Sequence, residues 1–145
     1  MKPGPTSLLS RELTGLVRVM LLFDLLSGAL RAHGALAQKD LLLELGLPAW
    51  LPGYLLAVGL VSALLSLFAL VCTWRLGRLS LIALWAALTF SIGGYWAERL
   101  FLWAPEQSAG SPLFKLGLQA LSLTAAGVYT YYIRKRRQPA HGPGN

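Results

Sequence analysis

The chain has 145 residues, 55% hydrophobic and 13% charged, with 13 Lys and Arg against 6 Asp and Glu and a formal charge of +7. That apolar share is more than a domain of this size hides in its own interior, so lipid must cover the remainder. The bases gather at the ends of apolar runs instead of alternating with aromatics over a polar face, which argues against nucleic acid as a partner. One cysteine, Cys72, excludes an intramolecular disulfide and any multi-cysteine metal site.

Crossing the hydrocarbon takes about 20 mostly apolar residues, and four stretches qualify: roughly 13–33, 54–74, 80–100 and 114–133. The first is interrupted by Arg18, Asp24 and Arg31. Together with Lys2, Arg11 and the small residues Ala35-Leu36-Ala37, it also has the outline of a signal peptide, which would remove residues 1–37; Asp24 inside the apolar stretch speaks against that scheme. Segment 40–51 is too short to cross, and its leucines beside Asp40 and Glu44 predict a short helix on the outer surface, or else a plain loop. The run 54–74 carries no charge, and the run 80–100 stays uncharged until Glu98 and Arg99, which puts that pair at an interface. The last run holds Lys115 and Gln119 near its start and ends in Arg134, Lys135, Arg136 and Arg137. Such a cluster halts insertion, marks the cytoplasm and touches anionic lipid headgroups, each base contributing about 1 kcal/mol near such a surface; docking of an acidic soluble partner is the alternative use. Residues 138–145 are expected to form a flexible tail. Breakers separate the runs at Pro48, Pro52, Gly53, Gly77, Pro105, Gly110 and Pro112.

Lys and Arg accumulate in short cytoplasmic segments. With the amino terminus inside, Lys2, Arg11, Arg75, Arg78 and the four-base cluster fall on the inner side, and Arg31, Lys39, Arg99 and Lys115 on the outer. Trp50, Tyr54, Tyr95, Trp96 and Trp103 then mark the outer headgroup zone, and Trp74, Tyr129, Tyr131 and Tyr132 the inner one. The expected fold is therefore all-α: one membrane domain, a four-helix bundle with both termini cytoplasmic, in a bacterial-type plasma membrane.

Small residues four apart mark where membrane helices approach closely. Candidates are Gly59 with Ala63, Ser62 with Ser66, Ala83 with Ala87 and Ser91, Ala120 with Thr124, and Ser122 with Ala126. Among the charges, Asp24 falls near the bilayer midplane, where an ionised carboxylate needs compensation. It is either a proton- or cation-coupling carboxylate of a small transporter or a packing residue facing hydroxyls on another helix. Arg18 lies six residues earlier, about 9 Å along the axis and about 120° around it, so it reaches the inner surface more easily than it pairs with Asp24. Arg31 and Glu98 fall at similar depth and are expected to form a structural ion pair, with Arg99 competing for the carboxylate. His33 and His141 belong to opposite sides, neither has ligand spacing, and no serine has a base partner, so no metal, cofactor or catalytic set is expected. A lipid-directed enzyme would require Glu98, Arg99 and His33 to converge.

The four-span outline with Gly46-Leu47-Pro48 in the outer segment resembles the DoxX-like small bacterial membrane proteins, a likeness that implies no function. The expected role is a non-enzymatic accessory or self-associating bundle whose partners are lipid, other membrane subunits or itself; the alternative is a small coupled transporter using Asp24.

Overall fold

The computed structural model describes residues 5–75, 77–102 and 112–137, with side chains from 11 to 135 within those ranges; the tail 138–145 and the breakers Pro105 and Gly110 lie outside them. All the described structure is helical: α1 (Pro5–Ala37), α2 (Lys39–Glu44), α3 (Leu51–Arg75), α4 (Arg78–Phe101) and α5 (Pro112–Arg137).

The turns between these helices follow from their residues. α2 ends because Gly46 adopts φ +74°, the left-handed conformation that glycine enters without strain. Leu47 N–H then donates to Leu42 O at 3.3 Å and Gly46 N–H to Leu43 O at 3.1 Å, a Schellman closure followed by Pro48, which blocks any continuation. Gly46-Leu47-Pro48 is thus a helix stop. The predicted segment 40–51 is divided by it: the helix covers only Lys39–Glu44, and Leu51 already belongs to α3 and is buried. Pro52 sits in the first turn of α3, where its missing N–H leaves nothing unsatisfied. Gly77 joins α3 to α4, its carbonyl accepting from the Ser80 hydroxyl at 2.7 Å.

Consecutive long helices run antiparallel. Gly28 of α1 meets Gly59 and Ala63 of α3, while Arg18 meets Thr73; Trp85 and Trp96 of α4 donate their indole N–H to Thr130 and Gln119 of α5 at 3.1 and 2.9 Å. α1 packs against α3 and α5, and α4 against the same two. One end of the assembly gathers the exposed bases Arg11, Arg75, Arg78, Arg134 and Lys135; the other carries α2.

The tightest seam joins α1 to α3. A Cβ at Gly28 would fall 2.8 Å from Gly59 O and from Ala63 N, and a Cβ at Gly59 would fall 2.8 Å from Gly28 O and from Ala32 N. Two small-residue pairs, Gly28 with Ala32 and Gly59 with Ala63, therefore let backbones touch, the approach membrane helices use in place of a hydrophobic drive. The apolar core lies toward the basic end and is built from Val17, Leu21, Ala69, Cys72, Ala83, Leu84, Ala87, Leu88, Ala126, Tyr129 and Ile133.

Size is distributed inside out. Alanines, glycines and serines fill much of the interior, whereas Leu16, Val19, Leu22, Phe23, Leu26 and Leu30 make an exposed stripe on α1, and Leu60, Leu64, Leu67, Phe68 and Val71 do the same on α3. An apolar patch of this extent is not tolerated in water and needs a covering phase. Among the described residues three helices are long and apolar enough to cross a membrane: α1 from Arg11 onward, α3 and α4. Thus α1, despite its three interrupting charges, qualifies. α5 has the length, at 26 residues, but Lys115, Gln119 and the tyrosines and threonines of its second half dilute its apolar character.

Candidate functional site

Along α1 the buried positions Val17, Leu21, Gly28, Ala32 and Ala35 follow helical spacing, and half-buried Asp24 occupies the gap in this stripe. It therefore faces the interior. One turn further on, Ser27, Gly28 and Arg31 line a cleft of about 80 Å³ shared by all four long helices. α3 adds Val58 and Ser62, α4 adds Phe90, Ser91, Gly94 and Tyr95, and α5 adds Lys115. The four elements converge here because their interior positions at this depth are small or hydroxylated, leaving space that the leucines and Tyr129 occupy nearer the basic end. A volume of this size admits about three waters.

Charge is arranged around the cleft in two groups. Arg31 Nη2 approaches Glu98 Oε1 at 2.5 Å, with side-chain exposures of 31% and 7%. The contact is ionic in character, since Oε1 receives no hydrogen bond of good alignment. The Tyr54 hydroxyl faces the same carboxylate, so one buried acid ties α1, α3 and α4 together. Arg99 does not compete for it: its Nη1 donates to Tyr95 Oη at 3.3 Å. The second group is Lys115, whose ammonium stands 5.3 Å from the centre of the Tyr95 ring, a cation–π arrangement. Its charge also reaches Asp24, but among the described residues Arg31–Glu98 is the one ion pair at bonding distance.

A separate polar cluster lies at the basic end. Arg18 Nε donates to Thr73 Oγ1 at 3.4 Å and Nη2 to Thr73 O at 3.5 Å, while the guanidinium covers the Trp74 ring at 5.1 Å. Arg18 thus turns away from Asp24 toward its own end of the bundle, and the Tyr129 hydroxyl is buried nearby beside Ser80, with no well-aligned hydrogen bond among the described residues.

Of the residues singled out from the sequence, Arg31 and Glu98 are brought together and Asp24 is placed beside the cleft. His33 is exposed and does not line the cleft, so Glu98, Arg99 and His33 do not converge on it. Arg134 and Lys135 stand exposed at the end of α5; Arg136 and Arg137 close that helix, with side chains outside the described set, as is all of His141. Among the described residues no group of three or more His, Cys, Asp or Glu is placed to hold a metal. The sequence reading missed Lys115, Tyr95, Ser27, Ser62 and Ser91 as a set. Their signal was depth: each is polar or small, and helix lengths counted from the basic end put them at one level. No protein-family model, curated protein or solved structure matches the chain.

Proposed function

We propose that the chain is a four-span protein of a bacterial-type plasma membrane, with both termini cytoplasmic, that acts without catalysis by self-association through α5. The observation that carries association is an open row on that helix. Gly117, Ala120, Thr124 and Gly127 lie on one face, all exposed, and a Cβ at either glycine would meet nothing within 4 Å. The Thr124 hydroxyl donates to Ala120 O at 2.8 Å, so the face is flat and its polar demand is met. The α1–α3 seam uses the same kind of row to bring backbones together, and lipid offers no competing drive. The orientation is supported by the five exposed bases at one end and by the four-base cluster Arg134–Arg137 as a stop for insertion.

The experiment is mass determination of the intact particle in mild detergent, with Gly127→Leu and with Gly15→Leu as a control at an equally open α1 site. A homo-oligomer that Gly127→Leu reduces to monomer, with Gly15→Leu unchanged, is the expected result. A monomeric wild type refutes self-association, and stoichiometric foreign chains convert the reading to an accessory subunit. Cysteine labelling at positions 45 and 145 from the outside checks the orientation: only position 45 is expected to react.

A second reading is favoured by the place of Asp24, half-buried on the interior stripe and one turn from the polar cleft. In it the protein is a small proton- or cation-coupled transporter with Asp24 as the coupling carboxylate. It requires pH-gradient-driven solute movement that Asp24→Asn abolishes while the helical content stays intact.

A further inference from the structure

We infer that the cleft between α1, α3, α4 and α5 binds a small oxyanion of phosphate type. The inference does not depend on association through α5, because the cleft lies inside one chain.

Four observations converge. Two cations line the cleft, Arg31 and Lys115, and they are differently engaged. Arg31 approaches Glu98 with Nη2, and a guanidinium carries five N–H donors, more than one carboxylate contact uses. Lys115 has the Tyr95 ring, and no carboxylate within ion-pair distance among the described residues. An ammonium among packed helices without a paired acid is unfavourable unless an anion or water comes to it.

The hydroxyls point the same way. Elsewhere in the bundle Thr73, Ser80, Ser122, Thr124 and Thr130 donate to carbonyls three or four residues earlier, whereas Ser66 and Thr89 make no hydrogen bond among the described residues. Ser27, Ser62 and Ser91, which line the cleft, make no hydrogen bond among the described residues. Three donors on three helices are thus left facing one space.

Size and balance select the class. About 80 Å³ suits a tetrahedral group of a few heavy atoms, and because the cleft is partly open the remainder of any larger molecule would project out of it. The donors on Lys115, Arg31 and the three serines outnumber what one carboxylate accepts and suit the oxygens of a phosphate. A metal cation is disfavoured because two positive groups border the space, while Glu98 is committed to Arg31 and Asp24 lies outside the lining. Free phosphate and the phosphate of a lipid headgroup share this chemistry.

The test uses the full-length protein in nanodiscs at constant ionic strength. In phosphatidylcholine alone, inorganic phosphate is titrated by calorimetry; in discs containing phosphatidylglycerol, lipid retained by the protein is counted by native mass spectrometry. Saturable phosphate binding identifies the free anion, and retained phosphatidylglycerol without it identifies the headgroup; either supports the site. Binding is expected to weaken at least tenfold in Lys115→Gln and in the Ser62→Ala, Ser91→Ala double variant, to stay within tenfold in Lys115→Arg, and to be unchanged in Lys39→Gln on exposed α2. Helical content and particle mass confirm that each variant is folded. No saturable interaction with either probe, or binding that Lys115→Gln leaves intact, overturns the inference.

Discussion

Substituting Gly28 by alanine adds one methyl group at the closest approach in the molecule. The new Cβ would lie 2.8 Å from Gly59 O and Ala63 N, where ordinary contact begins at 3.4 Å, so α1 and α3 must part by about 0.6 Å. Neither contacting atom is a side chain that can swing aside. A radial gap of about 0.5–1 Å forfeits roughly a quarter to a half of each dispersion contact across the seam, and overpacking of this kind destabilises by about 1–3 kcal/mol. Gly59→Ala is expected to do the same from the other side. The double variant is expected to lose less than the sum, because one displacement of the helices relieves both clashes. Gly15→Ala is the control: nothing lies within 4 Å of its Cβ, and the gain in helix propensity makes it neutral or stabilising by up to about 1 kcal/mol. Reversible unfolding in mixed micelles, followed by circular dichroism, measures all four. A Gly28→Ala protein as stable as Gly15→Ala would show that the seam is not closed as described.

Further outcomes follow from the polar contacts. Glu98→Gln or Arg31→Gln is expected to destabilise by about 3 kcal/mol, the low end for stranding half of a buried pair, since Arg31 keeps some solvent; a double-mutant cycle without coupling would remove the pair from the fold's support. Trp96→Phe leaves buried Gln119 Oε1 without its donor and is expected to lose about 1–3 kcal/mol in the same unfolding assay. Tyr129→Phe removes a buried hydroxyl that stands beside Ser80 without a well-aligned hydrogen bond among the described residues, so its unfolding midpoint is expected to match or exceed that of the wild type. Tyr129→Ala, which empties part of the core, is expected to fall by about 3–5 kcal/mol.

The long helices were legible because each carries an extended and mostly apolar run in which charges are few, and the stops at Gly46-Leu47-Pro48 and Gly77 are written in residues with restricted or unusual backbone preferences. The rows of small residues were legible only as candidates. Gly59 and Ala63 form the α1–α3 seam, yet their counterparts Gly28 and Ala32 lay unnoticed beside Arg31, and Ala120 with Thr124 faces outward instead of into the bundle. Spacing tells which residues share a face; it does not tell which neighbour that face meets. The relation of Arg31 to Glu98 could be anticipated because charge and depth restrict the choices to a few residues. Lys115 was harder to place. In sequence it is one base near a span's start, and only the packing of α5 beside α4 sets it over Tyr95 and next to three serines. The weak apolar character of α5 has the same origin, since its Gln119, Thr130 and Tyr129 face protein neighbours that a hydropathy average ignores.

The main apolar core fills the basic end, and the opposite half encloses hydroxyls, charge and empty volume beside the glycine seam. Cohesion is therefore graded along the axis, and local opening is easiest where apolar contact is sparse. The molecule is built like a clothes-peg gripped near the basic end by leucines and alanines: of the four neighbouring pairs of long helices, α4 and α5 meet least extensively, so their parting is the opening expected to widen the mouth at the α2 end while the grip stays shut. Amide exchange is accordingly expected to be slow around Val17, Ala69, Leu84 and Ala126, and faster around Ser91 and Lys115.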